Sequence, residues 1–573
     1  MMARRRRFSG GGQVWRLYRP VGSTDGLYWL ALAIVLVLGA LPALRLAIAV
    51  IADPSSLETI SQRAALRALG HTLLTGLCAG LLAVLIGGCA ALLVVLGDIR
   101  IRNFFTVGFT LSMLIAPQIV ALGYLEAIRG IAPIIWQPAN DKMQGWSHPL
   151  RSLGGMIAVL AIHHAPLAFL TIRAGLIRIP RDVLEAASLD GAHGLSWHTR
   201  VILPLIRNQI SVAALLCFIA AAGNFGIPAM LGISENILTL PTLIYRRLSG
   251  LGPSMIADMA SLGLILVVLA AFALATAQAL NGEAAPLHGD AASPIGMCPL
   301  GSWRFGSEIV LILLLFIAAF IPVIALVWAA LTPAPGVALT INTITSANFN
   351  DVFGSVAGTP LRAIGNSFFF SSLAALICAL LALICVFAFG RLKPRTRAVV
   401  ELLSDWPFAM PGIVLAVTFI LLFLKPLPLI NVSLYGTAII IILAYVARFF
   451  VLTLKPALAA LDASDPTIEE AALLCGAGRY AMIRCILLPA IGPALFSGAI
   501  IIFLTAFNEL TVSALLWGPG TQTLGVVMFG YEEAGLSGQA AVLGLTGLFV
   551  GAIAVWAIDR LRHYCPPGAI PWR

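Results

Sequence analysis

The sequence is poor in charge. Asp, Glu, Lys and Arg make up only 10% of its 573 residues, and four of those residues are lysines; soluble domains carry about 25% charged residues. The apolar set AVILMFWYC supplies 60%, and the mean hydropathy is +0.99. One soluble core cannot bury that much apolar surface. The composition therefore excludes a soluble protein and predicts an all-α polytopic membrane protein.

Motifs that carry chemistry are also missing. The nine cysteines form no C-x-x-C pair, which argues against a zinc site and a disulfide framework. A phosphate-binding loop needs a lysine directly after a glycine, and none of the four lysines follows one. No Ser/His/Asp set occurs, and we interpret the adjacent His163 and His164 as packing residues. We therefore expect no enzyme, no metal site and no cofactor in this chain.

The net charge of +10 is spread over short segments between apolar runs. A nucleic-acid-binding protein would gather such charge on one polar domain, so we expect no nucleic-acid partner. The apolar run after the basic N-terminal segment is long and lacks a convincing cleavage site. We interpret it as a retained first helix rather than a removed signal peptide.

Runs of about 20 apolar residues mark candidate membrane spans. The sequence predicts twelve: 27–51, 67–96, 104–128, 154–172, 208–231, 257–280, 307–331, 363–389, 401–424, 433–454, 493–517 and 537–558. With the N-terminus in the cytoplasm, 24 Lys and Arg lie inside, 9 lie outside, and Arg45 and Arg448 fall within spans. The positive-inside rule thus favours a cytoplasmic location for both termini.

The spans form two similar halves. Gly70-His71-Thr72 opens span 2 as Gly365-Asn366-Ser367 opens span 8, and Ala116-Pro117-Gln118-Ile119-Val120 resembles Met410-Pro411-Gly412-Ile413-Val414. Both halves have the same orientation, which predicts a parallel repeat about an axis along the membrane normal. We predict a first domain at 1–280, a cytoplasmic linker at 281–304 and a second domain at 305–573.

One polar motif recurs in the longest cytoplasmic loop of each half. The copies read Glu185-Ala186-Ala187-Ser188-Leu189-Asp190-Gly191 and Glu470-Ala471-Ala472-Leu473-Leu474-Cys475-Gly476, followed by Ile202-Leu203-Pro204 and Leu487-Leu488-Pro489. Glu and Gly are 6 residues apart and Gly and Pro 13 apart in both copies, each pair related by an offset of 285. The pattern predicts two short helices at the membrane surface, joined by a glycine turn, with Asp465 as an N-cap before Pro466.

This motif is similar to the EAA loop of binding-protein-dependent ABC importer permeases, with loops near 180–206 and 465–491. The resemblance covers nearly the whole chain as two fused permease domains of the MetI-like type. It implies that Glu185, Ala186, Ala187 and Gly191 contact one copy of an ABC ATP-binding subunit, and that Glu470, Ala471, Ala472 and Gly476 contact the other. ATP and Mg would then be bound by that partner. The resemblance also implies a periplasmic substrate-binding protein and a location in the bacterial inner membrane.

The resemblance also bears on the transported substrate. Fused double permeases of this length resemble the iron(III), thiamine and phosphonate branch of the family, and the phrases at 218–229 and 508–516 look most like ferric-iron permeases. We expect ferric iron, with thiamine, phosphonates and polyamines as alternatives. A secondary transporter is the rival class, but it gives no reason for two equally spaced motifs.

Three polar residues are candidates for the transport pathway. Glu509 falls within predicted span 11 with Asn508 beside it, and Asn224 is its counterpart in span 5. Ionisable residues within spans are costly and are functional candidates by default. Hydrogen bonding to neighbouring helices is the competing interpretation. We expect Arg45 and Arg448, nearer span ends, to snorkel towards the surface.

Overall fold

The computed structural model of this chain consists of α-helices. It describes residues 26–52, 55–135, 148–191, 194–248, 255–282, 298, 300–335, 337, 340–354, 358–390, 392, 394–426, 431–476 and 478–560. Within these residues there is no β-strand, only an isolated bridge between Gly97 and Cys298. This confirms the predicted all-α class.

The helices follow the same order in the two halves. The first half contains α1 (Gly26–Val35), α2 (Leu41–Ala52), α3 (Ser55–Ser61), α4 (Arg63–Leu96), α5 (Arg102–Ser112), α6 (Pro117–Ile135), α7 (Leu153–Ile177), α8 (Arg181–Leu189), α9 (Leu195–Trp197), α10 (Leu203–Ala222), α11 (Gly226–Gly232), α12 (Leu240–Leu248) and α13 (Met255–Gly282). The second contains α14 (Trp303–Leu315), α15 (Ile321–Leu331), α16 (Ala347–Phe353), α17 (Gly358–Phe389), α18 (Pro394–Ala409), α19 (Gly412–Phe423), α20 (Ala438–Phe449), α21 (Val451–Asp462), α22 (Pro466–Leu474), α23 (Arg479–Met482), α24 (Leu488–Phe507), α25 (Ser513–Leu516), α26 (Leu524–Glu533) and α27 (Ser537–Arg560).

Ten described helices are long and apolar enough to cross a membrane, and there are twelve crossings if two bent pairs each count as one. The bends are 100° between α5 and α6 and 103° between α18 and α19. They fall at Pro117 and Pro411, because proline cannot donate to a helix ladder and restricts the residue before it. The predicted spans 104–128 and 401–424 are therefore not single straight helices.

Two other predicted spans are displaced. The sequence predicts spans at 208–231 and 493–517, whereas the helices run over His198–Ala222 and Tyr480–Phe507. Both begin earlier because the polar segments before them are already helical, and both end earlier because the backbone breaks within the apolar run. These two breaks contain the polar candidates Asn224, Asn508 and Glu509.

In the described part of the chain, four π-helical turns interrupt the long helices, at Leu36–Ala40, His198–Ile202, Phe316–Phe320 and Ile483–Leu487. Each lies directly before a residue followed by proline, namely Pro42, Pro204, Pro322 and Pro489. In every case the residue before proline donates its N–H to the carbonyl five positions back. The proline ring clashes with the ordinary carbonyl partner, so the hydrogen-bond register shifts by one residue.

The first span of each half packs against the other half. α2 packs on α19, and α15 packs on α6. At the second contact a Cβ at Gly123 would lie 2.6 Å from Cα of Pro322, so glycine permits the close approach of the two helices.

The end of the predicted linker is bound to the first half. Cys298 N donates to Leu96 O at 2.8 Å, and Leu300 N donates to Oδ1 of Asp98 at 3.1 Å. The first two residues of the predicted linker belong to α13 and its last two to α14, and residues 283–297 and 299 lie outside the described residues.

Candidate functional sites: two motif loops and a polar helix break

The two motif segments form short helices that end at a glycine with positive φ. α8 is followed by Gly191 at φ +85°, and α22 by Gly476 at φ +78°. Asp190 N donates to Ala186 O at 3.0 Å, and Cys475 N donates to Ala471 O at 3.0 Å. Residues with a Cβ rarely adopt this φ, so the glycine six residues after the motif Glu fixes where each helix ends.

The start of α22 carries the predicted cap. Oδ1 of Asp465 accepts a hydrogen bond from Thr467 N at 2.9 Å. That bond lowers the pKa of the Asp465 carboxyl, since it stabilises the charged form. α8 begins differently: Pro180 precedes it, and Arg181 Nε donates to Oε1 of Glu185 at 2.7 Å. The two motif helices therefore end in the same way, at a glycine of positive φ, but begin differently.

The chain after each glycine is not a separate surface helix. α9, the π turn His198–Ile202 and α10 run on without interruption into the membrane span, and α23, the turn Ile483–Leu487 and α24 do the same in the second half. The motif proline lies at the π turn rather than at a helix end, so the expected second short helix is the first part of the next span.

Each motif helix presents an exposed leucine beside its glycine. Leu189 and Leu474 are each 89% exposed, whereas Leu184 on the opposite side of α8 is fully buried in a cluster that includes Phe169 and Trp197. With each bent pair counted as one crossing, α8 and α22 lie on the same face of the membrane. An anchored helix with an exposed apolar tip is typical of a surface that binds another protein.

The motif residues themselves are accessible. Glu185, Ala186 and Gly191 are exposed and Ala187 is half-buried; in the second copy Ala471 and Gly476 are exposed and Ala472 is half-buried. The side chain of Glu470 lies outside the described part of the structure.

The polar candidates lie in a helix break, not within a span as the sequence predicts. Asn224 lies between α10 and α11, and Asn508 and Glu509 lie between α24 and α25. Oδ1 of Asn224 accepts from Ile227 N at 3.0 Å, and Glu509 accepts from Val512 N at 2.9 Å. These side chains compete for the backbone donors and end one helix while capping the next.

The break brings the two halves together. Nε2 of Gln118, in the first half, donates to Asn508 O at 2.6 Å. Asn224, Asn508 and Glu509 are all buried. The three candidate residues are therefore buried, and the backbone of Asn508 contacts the first half, while the side chains of Asn224 and Glu509 each accept a hydrogen bond from the local backbone.

Arg448 does not snorkel. Arg448 lies near the middle of the span Ala438–Asp462, with Nη1 3.7 Å from Oε1 of Glu509. Nε of Arg45 donates to Leu421 O at 3.2 Å. For Arg448 the expectation fails because its guanidinium lies beside a buried carboxylate within the protein, whereas the carbonyl that Arg45 contacts lies two residues before the end of α19. The rings of His163 and His164 contact each other edge to face, with their centroids 4.9 Å apart. Among the described residues, no group of three or more His, Cys, Asp or Glu is arranged to hold a metal.

A cluster of charged residues on the face opposite the motif loops also joins the halves. Arg129 pairs with Glu126, donates to Oγ of Ser537 at 3.0 Å and lies 3.4 Å from Glu532. Nη2 of Arg151 lies 3.6 Å from the same Glu532 oxygen. Sequence analysis missed this cluster, although Glu126 falls within a predicted span, which was a signal for it.

Comparison with known proteins gives a consistent result. The family described as "Binding-protein-dependent transport system inner membrane component" matches twice, at residues 80–282 and 387–563. A probable ABC transporter permease protein of Sinorhizobium fredii is 26% identical over 465 residues, 77% of each chain.

Two further relatives are named for their substrates. A putative ferric transport system permease protein of Haemophilus influenzae is 24% identical over 71% of this chain, and the match spans 63% of that relative, less than two thirds of its length. A putrescine transport system permease protein of Escherichia coli K12 is 28% identical over 35% of this chain and 73% of its own.

Proposed function

Because this chain belongs to the family of binding-protein-dependent transport system inner membrane components, matched in both halves, we propose that it forms the complete translocation pathway of an ATP-driven importer. It is a transport subunit and not an enzyme. We place it in the bacterial inner membrane with both termini in the cytoplasm, as the distribution of basic residues favours.

The observation that carries the proposal is the pair of motif helices. α8 and α22 lie on one face, end at glycines of positive φ, and expose Leu189 and Leu474 equally. Two equivalent binding surfaces on one chain suit two copies of an ABC ATP-binding subunit. In this proposal the motif residues Glu185 to Ala187 with Gly191, and Glu470 to Ala472 with Gly476, form the contact, and ATP and Mg are bound by the partner.

The proposed solute is ferric iron delivered by a periplasmic binding protein. The ferric transport relative supports this choice. Thiamine, phosphonate and polyamine importers are the alternatives, and the putrescine relative supports the last of them. Asn224, Asn508 and Glu509 are the proposed polar step of the pathway, since all three are buried and Asn508 O accepts a hydrogen bond from Gln118 of the other half.

Purification of the tagged full chain from its native membranes tests the proposal. Native mass spectrometry should find one copy of this chain with two copies of an ATP-binding subunit. Assembly as a homodimer with a shared pathway would contradict the architecture. Uptake into liposomes that contain this chain alone, driven by an ion gradient, would support a secondary transporter instead.

A further inference from the structure

Arg448 is a charged residue in the middle of a membrane span. It lies ten residues after the start of the span Ala438–Asp462, and its side chain is 21% exposed. Charged side chains at this depth are costly and rare, and they usually mark a functional path. The sequence-based expectation that this arginine snorkels does not account for it.

The fold does not require this charge. The offset of 285 that relates the motif copies pairs Arg448 with His163 and Glu509 with Asn224. In the first half, where Asn224 and His163 occupy these positions, the helix break and its capping hydrogen bond form in the same way. The ion pair is therefore an addition to one half, not a condition for the break.

A glycine provides the space for the guanidinium. A Cβ at Gly412 would overlap Nη1 of Arg448 and lie 2.5 Å from its Cζ. The corresponding residue in the first half is Gln118, whose long side chain donates to Asn508 O. The second half thus has a small residue where the first half has a large one, and Arg448 occupies that space.

One nitrogen of the Arg448 guanidinium has N–H groups without an acceptor in the described part of the chain. Its Nη1 is buried and has no hydrogen-bond partner among the described residues. The nearest carboxylate oxygen, Oε1 of Glu509, is 3.7 Å away, beyond hydrogen-bonding distance. Both Glu509 oxygens already accept from Val512 N, at 3.1 and 2.9 Å. Glu509 therefore balances the charge of Arg448 without accepting a hydrogen bond from its Nη1.

We propose that Arg448 binds an anionic oxygen of the transported solute as it passes between the two halves. A guanidinium with unfilled N–H groups recognises carboxylate, phosphate and phosphonate oxygens in preference to cations. The inference rests on the proposed function and narrows the substrate class to solutes that carry such a group, including iron(III) in a complex with an oxyanion. Thiamine and putrescine are cations without one.

Equilibrium dialysis of the purified full chain in lipid nanodiscs tests this assignment. The probes are iron(III) citrate, 2-aminoethylphosphonate, thiamine and putrescine. We expect an oxyanion probe to bind the wild type and Arg448→Gln to weaken that binding about 10- to 100-fold. Arg448→Lys, which keeps the charge with fewer donors, should give a smaller loss. Arg45→Gln is the matched control, because it removes an intramembrane arginine elsewhere and should leave binding unchanged.

Two results would overturn the assignment. The first is a wild type that binds neither oxyanion probe. The second is binding of a cationic probe that survives Arg448→Gln and is lost in Glu509→Gln.

A double variant separates solute binding from a purely structural ion pair. Arg448→Met with Glu509→Gln removes both charges and leaves no unpaired one. If the pair only stabilises the fold, this variant transports like the wild type, which contradicts the proposal. We expect uptake of the bound oxyanion probe to remain lost. Copurification of the ATP-binding subunit is measured in parallel: its absence from the wild type would contradict the importer function, whereas its presence in every variant isolates the effect on the solute.

Discussion

Asn224 and Glu509 lie 285 positions apart and perform the same local task in the two halves. Each accepts a hydrogen bond from the backbone N–H three residues later, Ile227 N at 3.0 Å and Val512 N at 2.9 Å. Each follows the end of a long helix and precedes a short one. A buried carboxylate and a buried amide thus make the same capping bond, and only Glu509 adds an ionisable group, which lies 3.7 Å from Arg448.

Replacement of Asn224 by alanine should destabilise the protein by about 1 kcal/mol, because the cap of α11 loses its acceptor. Asn224→Asp keeps an acceptor and should recover most of that loss. Thermal unfolding of the detergent-solubilised chain, followed by tryptophan fluorescence, measures both variants. Equal stability of the wild type and Asn224→Ala would show that the hydrogen bond to Ile227 N contributes nothing.

Glu509→Gln separates charge from capping. The amide oxygen can still accept from Val512 N, so the break should persist, while Arg448 loses its counter-charge. We expect solute uptake to fall and the ATP-binding subunit to remain associated. Uptake assays on membrane vesicles, with the subunit quantified by immunoblot, measure the two effects. Normal uptake would exclude an electrostatic role for Glu509.

The sequence predicts the class of fold, the repeat and the motif loops because these depend on local patterns. Apolar run length finds the spans, and the glycine six residues after Glu185 or Glu470 finds the turn. Sequence misplaces Glu509 and Asn224, since an apolar run shows no sign of a backbone break inside it. It misinterprets Arg448 because its partner, Glu509, is 61 positions away in the chain, and only the packing of helices within the second half brings the two together.

Arg129 should be important for the contact between the halves. The carboxylates of Glu126 and Glu532 are only 5% and 6% exposed, and Arg129 lies between them. Arg129→Met leaves both carboxylates with only part of their counter-charge. We expect it to lower the free energy of unfolding by about 3 kcal/mol or slightly less, because the Arg129 side chain is partly exposed. Arg181→Met is the control, because its pair with Glu185 is half-exposed and should contribute under about 1 kcal/mol. Equal changes in unfolding temperature for the two variants would contradict this ranking.

His148 should make stability depend on pH. Burial, with Arg129 and Arg151 nearby, lowers the pKa of His148 to about 4, against an ordinary value near 6.5. The folded protein therefore favours the neutral ring. The contribution of His148 to the free energy of unfolding is complete above about pH 6.5 and is lost as the pH falls towards 4. We expect the stability advantage of the wild type over His148→Gln to shrink over that interval. A difference that stays constant from pH 7 to pH 4 would show that His148 titrates normally.

The glycines of the motif loops provide the sharpest test of coupling to an ATP-binding subunit. Nothing lies within 4 Å of a Cβ built at Gly191 or Gly476, so a substitution there causes no clash within the chain. The substitution is unfavourable because a residue with a side chain must adopt a positive φ, which destabilises the loop by about 1 kcal/mol. Aspartate also adds charge at the proposed docking surface, which is expensive if the partner buries it.

We expect Gly191→Asp and Gly476→Asp to reach the membrane and to lose solute-dependent uptake, with the ATP-binding subunit weakly bound or uncoupled. Asparagine and aspartate both tolerate positive φ, so Gly476→Asn causes similar backbone strain without the added charge. If the charge is the main cause of the loss, Gly476→Asn should retain more uptake than Gly476→Asp. Gly478→Ala is the matched control in the same loop, since nothing lies within 4 Å of its Cβ and its φ is not positive. The two halves need not respond equally, because Ser188 and Leu473 occupy the same place with different polarity. Normal uptake in both aspartate variants, with the subunit bound as in the wild type, would show that these loops do not couple the permease to ATP hydrolysis.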